Sequence, residues 1–204
     1  MSQPFPQTAF PQSWSAEILR TPPLIAPARA FVYPQNIPGE EDALARGALH
    51  LLVHPRTGGA YLATCALGFT DQSLPTAVHP CPNPDQLCAL AGGYAYLSDT
   101  TNPETCALLP LKPVAAVQAV PEANLLLFLG LHTLLAWGPE GLRWQTSRLT
   151  WEGLRLTEIT ATHAQGLGWD LYTDREIPFT VDLATGRHTG SPFPPSSETS
   201  ATTS

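Results

Sequence analysis

Leu125-Leu-Leu-Phe-Leu-Gly-Leu131, followed by Leu134-Leu-Ala-Trp137, the turn Gly138-Pro-Glu-Gly141 and Leu142-Arg-Trp-Gln-Thr146, decides the fold class of this chain. Short apolar runs punctuated by Gly and Pro are strand and turn signals. Further on, Ile177-Pro-Phe-Thr-Val-Asp-Leu183 runs into Ala184-Thr-Gly-Arg187 in the same manner. The longest apolar run, Leu125 to Trp137, holds 13 residues and is broken by Gly130, His132 and Thr133. A membrane-spanning helix needs roughly 20. A buried pair of strands is the reading, and no membrane insertion is expected.

Composition agrees with a β-rich globular chain. Apolar residues make up 43% of the 204, enough for a sizeable core. Proline contributes 22 residues, about double the ordinary share of roughly 5%. Each interior proline removes a helical donor and clashes with the preceding turn, so long helices are disfavoured. Charged residues are scarce at 13%, Lys112 is the single lysine, and the formal charge is −7. No basic patch is large enough to neutralise several phosphates, which argues against nucleic acid as a partner. The opening Met1-Ser-Gln-Pro-Phe-Pro-Gln lacks the basic and apolar regions of a signal peptide, so the expected location is cytoplasmic.

Three regions are expected. Residues 1–38 carry eight prolines and scattered aromatics, among them Phe5, Phe10 and Trp14, and read as an extended N-terminal arm. Residues 39–191 form the β-rich domain. It opens with one short helix at Gly39–Arg46, where acids precede an arginine in the order that suits a helix dipole. Residues 192–204 read as a disordered tail. Within the domain four similar units follow one another, with strand centres near Tyr61, Tyr96, Leu135 and Phe179, at intervals of 35, 39 and 44 residues. Periods of about 40 to 50 residues suggest propeller blades.

Gly138-Pro-Glu-Gly-Leu-Arg-Trp144 and Val181-Asp-Leu-Ala-Thr-Gly-Arg187 resemble the strand–turn–strand segments of β-propeller repeats of the quinoprotein-like kind, over about residues 114–190. Trp169-Asp170 lacks the Gly-His partner of a WD repeat, and the first two units are short of strands. The fold expected is therefore mainly β, with antiparallel strands in a propeller-like or a two-sheet sandwich arrangement. No cofactor site carries over from the resemblance, and none is expected.

No Gly-x-Ser-x-Gly elbow, Walker loop, dinucleotide fingerprint or His-Glu-x-x-His occurs. The six histidines are scattered singly, and no metal site is expected. Cys65, Cys81, Cys88 and Cys106 sit in one 42-residue stretch. Buried free thiols are favoured over a Cys81–Cys88 disulfide, and that over zinc, because the spacing lacks a tight Cys-x₂₋₄-Cys pair. The acids Asp170, Asp174, Glu176 and Asp182 surround a hairpin. They are either turn residues or the carboxylates of a hydrolase or carbohydrate-binding protein.

The aromatic residues point elsewhere. Trp137, Trp144, Trp151 and Trp169 fall within 33 residues, interleaved with Arg143 and Arg148. Trp and Arg are enriched in binding hot spots. These six residues are the expected binding surface of a non-catalytic protein-interaction module, a subunit of a larger assembly whose partner is another protein or a second copy. The alternative is the carboxylate-dependent hydrolase or carbohydrate binder.

Overall fold

The computed structural model describes residues 10–25, 27–35, 37, 40 and 43–193. Sixteen strands among them form four sheets of four. In the first sheet, β1 (Trp14–Leu19), β2 (Ala30–Tyr33), β3 (Ala48–Pro55) and β4 (Tyr61–Ala66) lie in the order β1-β3-β4-β2, with β2 parallel to β4. The second is an antiparallel meander of β5 (Ala77–Pro80), β6 (Gln86–Ala91), β7 (Tyr94–Asp99) and β8 (Cys106–Leu108). The third comprises β9 (Ala116–Val120), β10 (Leu125–Leu129), β11 (Leu134–Gly138) and β12 (Gly141–Gln145). The fourth comprises β13 (Glu152–Ile159), β14 (His163–Asp170), β15 (Arg175–Asp182) and β16 (His188–Thr189). The chain is mainly β.

Side-chain alternation shows how the sheets stack. Leu87, Ala89 and Ala91 on β6 meet Leu51, Val53 and Tyr61 of the first sheet, while Cys88 and Leu90 on the same strand meet Leu126, Phe128 and Leu135 of the third. On β10, Leu126 and Phe128 face the second sheet, whereas Leu125, Leu127 and Leu129 face Ala164, Leu183, Phe179 and Val181 of the fourth. The two middle sheets are thus buried on both faces, and strands buried on both faces read as unbroken apolar runs. Leu125-Leu-Leu-Phe-Leu129 is such a run. The fourth sheet is buried on one face only, so β14 alternates between exposed His163, Gln165 and Trp169 and buried Ala164, Gly166, Gly168 and Asp170. Among the described residues, no core cluster joins the first sheet to the fourth.

The third and fourth units expected from the sequence each hold one sheet, whereas the first two hold only β3–β4 and β6–β8, their sheets being completed by β1, β2 and β5. Tyr61, Tyr96, Leu135 and Phe179 each lie on the third strand of a sheet, counted from one edge. Four sheets rather than two set the sandwich aside. The expected short helix is corrected too: among the described residues of 39–46 there is only a 3-10 turn, Ala43–Arg46, stopped by Gly47 at φ 101°. Glu40 serves no helix dipole. Its carboxylate accepts from Tyr94 Oη at 2.8 Å and pairs with Lys112 Nζ at 2.9 Å and Arg46 at 3.1 Å.

The arm expected over residues 1–38 belongs to the sheets from Phe10 onward. Phe10 is 9% exposed inside the cluster between the second and third sheets. Trp14 is 7% exposed, and its indole N–H donates to the Gln86 carbonyl at 3.0 Å. Six residues of β1 then pair with β3, and Phe31 packs edge-on against Tyr61 at 5.5 Å between centroids. Pro22, Pro23 and Pro27 lie between β1 and β2, where the missing donors cost no ladder bond. Phe5 and residues 194–204 of the expected tail lie outside the described residues. Among those residues no helix is long and apolar enough to cross a membrane.

Candidate functional site

The turns at one end of the third and fourth sheets enclose a cleft of about 460 Å³. Its walls come from the β9–β10 turn (Asn124, Leu125), the β11–β12 hairpin (Pro139, Arg143), the β13–β14 turn (Thr162) and the β15–β16 turn (Asp182, Leu183). The volume is in the range of small-ligand and side-chain pockets.

Arg143 is placed by a β-bulge. Ala136 pairs with Trp144 and Trp137 with Leu142, so Arg143 is the extra residue on β12. A bulge re-aims one side chain and increases local twist. The stem of Arg143 lies across Gly138, where a Cβ would sit 2.8 Å from Cγ and 2.9 Å from Cδ of the arginine. Only a residue without a side chain leaves that path open. The guanidinium then borders the cleft, exposed and, among the described residues, without an ion pair or hydrogen bond.

The neighbouring Trp144 fixes the cleft's inner wall. Its indole N–H donates to the Leu183 carbonyl at 2.8 Å, and Gly186, at φ 73°, presses so close that a Cβ there would lie 2.7 Å from the ring. Asp182 closes the same turn: one carboxylate oxygen accepts from the Thr185 amide at 2.8 Å and hydroxyl at 2.7 Å. Those Thr185 bonds hold its carboxyl below the usual range, so it is an anion at neutral pH. Its second oxygen lies 3.9 Å from His163 Nε2. Asn124 takes the left-handed conformation (φ 53°), exposed and with its carboxamide unpartnered among the described residues.

The six residues expected to form one binding surface fall in separate places. Arg143 lines the cleft, and Trp144 does not line it but bonds to Leu183, which does. Trp137 sits between the second and third sheets beside another cleft of about 450 Å³, and its indole N–H is taken by the Gln86 side-chain oxygen at 3.0 Å. Arg148 and Trp151 meet at the opposite end of the fourth sheet. There the guanidinium donates to the Thr150 and Trp151 carbonyls at 3.0 and 3.1 Å and stacks 4.8 Å over the indole. Phe193 and Tyr172 pack on the same indole at 5.1 and 5.6 Å. Three side chains thus crowd that ring. Trp169 is on the outward face of β14 and 36% exposed.

The acidic group is dispersed as well. Asp170 faces inward and accepts from Thr173 and Tyr172, capping its own turn; those hydrogen bonds, the Thr173 hydroxyl first, hold its carboxyl low. Glu176 is bound by Arg155 through two bonds of 2.9 and 3.0 Å on the outward face. Asp182 is at the far end of β15, about 20 Å along the strand at roughly 3.3 Å per residue. Asp170 and Asp182 therefore do not meet as an acid/base pair.

A pairing missed in the sequence joins Ser147 Oγ to His188 Nε2 at 2.8 Å. Hydroxyl and imidazole at this distance are two parts of a nucleophile–base set. Among the described residues the third is missing: His188 is 3% exposed and its Nδ1 finds no partner there to orient the ring. Burial lowers its pKa, which leaves it a neutral ring tying β16 to the loop after β12. All four cysteines are free thiols, and burial pushes each of them up, Cys106 to about 12. Among the described residues no three His, Cys, Asp or Glu side chains gather as metal ligands. Neither a protein-family model nor a curated protein matches this chain.

Proposed function

We propose that the protein is a non-catalytic interaction module, propeller-like in the succession of its four sheets, that holds a protein partner at the cleft between the third and fourth sheets. The observation that carries this reading is Arg143: a bulge and a glycine cooperate to set an unpaired guanidinium at the edge of a preformed concavity. Arg148 and Arg155, by contrast, spend their donors on carbonyls and Glu176. A preformed concave site with a few placed polar groups is the usual architecture of recognition. The groups of the cleft suit binding rather than proton transfer, since a guanidinium and a low-pKa carboxylate both stay charged near neutrality. Membership of a larger assembly and a cytoplasmic setting belong to the same proposal, as does a protein rather than a nucleic acid as the partner of this acidic chain. Affinity capture from native extract tests it, comparing the full chain with its Arg143→Ala variant. A partner retained by the first and lost by the second is expected; capture unaffected by the substitution would refute the assignment of the site.

A further inference from the structure

We infer that the occupant of this cleft is an extended peptide segment bearing both charges, a carboxylate for Arg143 and an ammonium or guanidinium for Asp182. The inference rests on the proposed role of the cleft and adds the chemistry of what fills it.

Four features select that ligand. Arg143 and Asp182 both line the cleft, and among the described residues they form no ion pair with each other; the neighbour of Asp182 is His163, at 3.9 Å. A guanidinium fork recognises a carboxylate through two parallel hydrogen bonds. A polyanion is disfavoured, because Asp182 would face its second charge and the chain is already at −7. A wholly apolar segment is disfavoured by the opposite argument: it would strip water from both charges and pair with neither.

The rest of the lining mixes small apolar residues (Ala123, Ala161, Ala184) with Thr162, and the lining residues Leu125 and Leu183 are buried. Asn124 adds the remaining element. Its left-handed backbone leaves the carboxamide exposed, and a free amide carries the donor and acceptor that a peptide bond needs. A free amino acid offers the two charges without that amide edge. A segment with one acidic and one basic residue on either side of a small residue satisfies all three groups.

The test is a titration of the ¹⁵N-labelled full chain with a capped pentapeptide of sequence Gly-Glu-Ala-Lys-Gly, followed by amide NMR. The expected result is movement of the Asn124, Thr162 and Ala184 amides and of the Trp144 indole N–H, which reports on the inner wall. Replacing Glu by Gln or Lys by Gln in the peptide should each weaken binding at least fivefold. Arg143→Gln in the protein should abolish the preference for Glu over Gln, and Asp182→Asn the preference for Lys over Gln, each leaving the other preference in place. Asn retains the oxygen that Thr185 bonds, so the turn survives the second variant. Equal affinity for charged and neutral peptides, shifts confined to another surface, or no shift at millimolar peptide overturns the inference. If partner capture still depends on Arg143 while the peptide fails, only the ligand class falls. If capture is also indifferent to Arg143, the site itself is wrong.

Discussion

Replacing Trp14 by alanine separates a segment that completes the core from an arm that merely lies outside it. The indole is 7% exposed, packs in the cluster between the first and second sheets, and donates to the Gln86 carbonyl at 3.0 Å. Truncating a buried Trp or Phe to Ala costs about 3–5 kcal/mol. The Gln86 carbonyl also loses its indole donor, and an unsatisfied buried group adds about 1 kcal/mol or more. For a chain of 150–250 residues each kcal/mol lowers Tm by about 2–4 °C, so the expected fall from about 4–6 kcal/mol is about 8–24 °C. Calorimetry at neutral pH reads it directly, and Trp14→Phe, which keeps most of the packing, should recover more than half of the loss. The same contacts predict that deleting residues 1–30, which removes β1 and Phe10 as well, lowers Tm at least as far. A Trp14→Ala variant melting within about 2 °C of the parent, as a solvated surface residue would, refutes the argument.

Other consequences are nearer the site and the thiols. Gly138→Ala places a methyl in the path of the Arg143 stem, a flexible chain that moves aside, so calorimetry should show a loss under about 1 kcal/mol while partner capture falls as in Arg143→Ala. Thr185→Val removes the hydroxyl bond that chiefly lowers Asp182, so the carboxyl pKa read by ¹³C NMR titration should rise toward the ordinary aspartate range; an unchanged value would contradict the assigned cause. Stability should be acid-sensitive. Glu40, Asp170, Glu176 and Asp182 have folded pKa values below their unfolded ones, so their contribution is whole above roughly pH 5–6 and is lost as pH falls through the carboxylate range and below. For Glu40 burial works the other way, but bonds from Lys112 and Tyr94 outweigh it. Finally, burial keeps Cys65, Cys81 and Cys88 protonated and covered, so a thiol reagent should label none of these three in the native protein and all of them in urea, while half-buried Cys106, beside the second cleft, reacts first; rapid native labelling of the buried three would show that the sheets part.

The fold class was legible because burial writes itself into the pattern of apolar residues. Leu125-Leu-Leu-Phe-Leu129 is continuous because β10 has a sheet on each side, and the spacing of Tyr61, Tyr96, Leu135 and Phe179 measures the distance from one third strand to the next. What escaped was set by contacts between distant parts of the chain. Trp14-Ser-Ala-Glu-Ile-Leu19 looks like part of a Pro-rich arm until β3 supplies its hydrogen-bonding partner, a pairing across more than 30 residues that no local signal announces. Glu40 fits a helix N-terminus in the sequence; its partners, Tyr94 and Lys112, come from the second sheet and the loop after it.

The Trp and Arg residues show the same limit from the other side. Their types were informative, but nearness along the chain was a poor guide to nearness in space, because every strand sends successive side chains to opposite faces and every hairpin reverses its ends. Arg148 and Trp151 are three positions apart and stack on each other, whereas Arg143 and Trp144 are adjacent and a bulge sets Arg143 out of the regular register. The signals that mark Arg143 are weaker ones in the sequence. Gly138 and Gly186 are places where a neighbouring side chain, Arg143 or Trp144, needs the room a Cβ would take, and Gly141 supplies the φ of 118° that the hairpin requires. Asn124, one residue before a run of five apolar positions, signals a left-handed turn. Read with the sheet order, these glycines and this asparagine converge on one end of the third and fourth sheets, where a guanidinium, a carboxylate and an amide line one cleft. Since none of the three is needed to pair with another, their arrangement is explained by what they leave open between them.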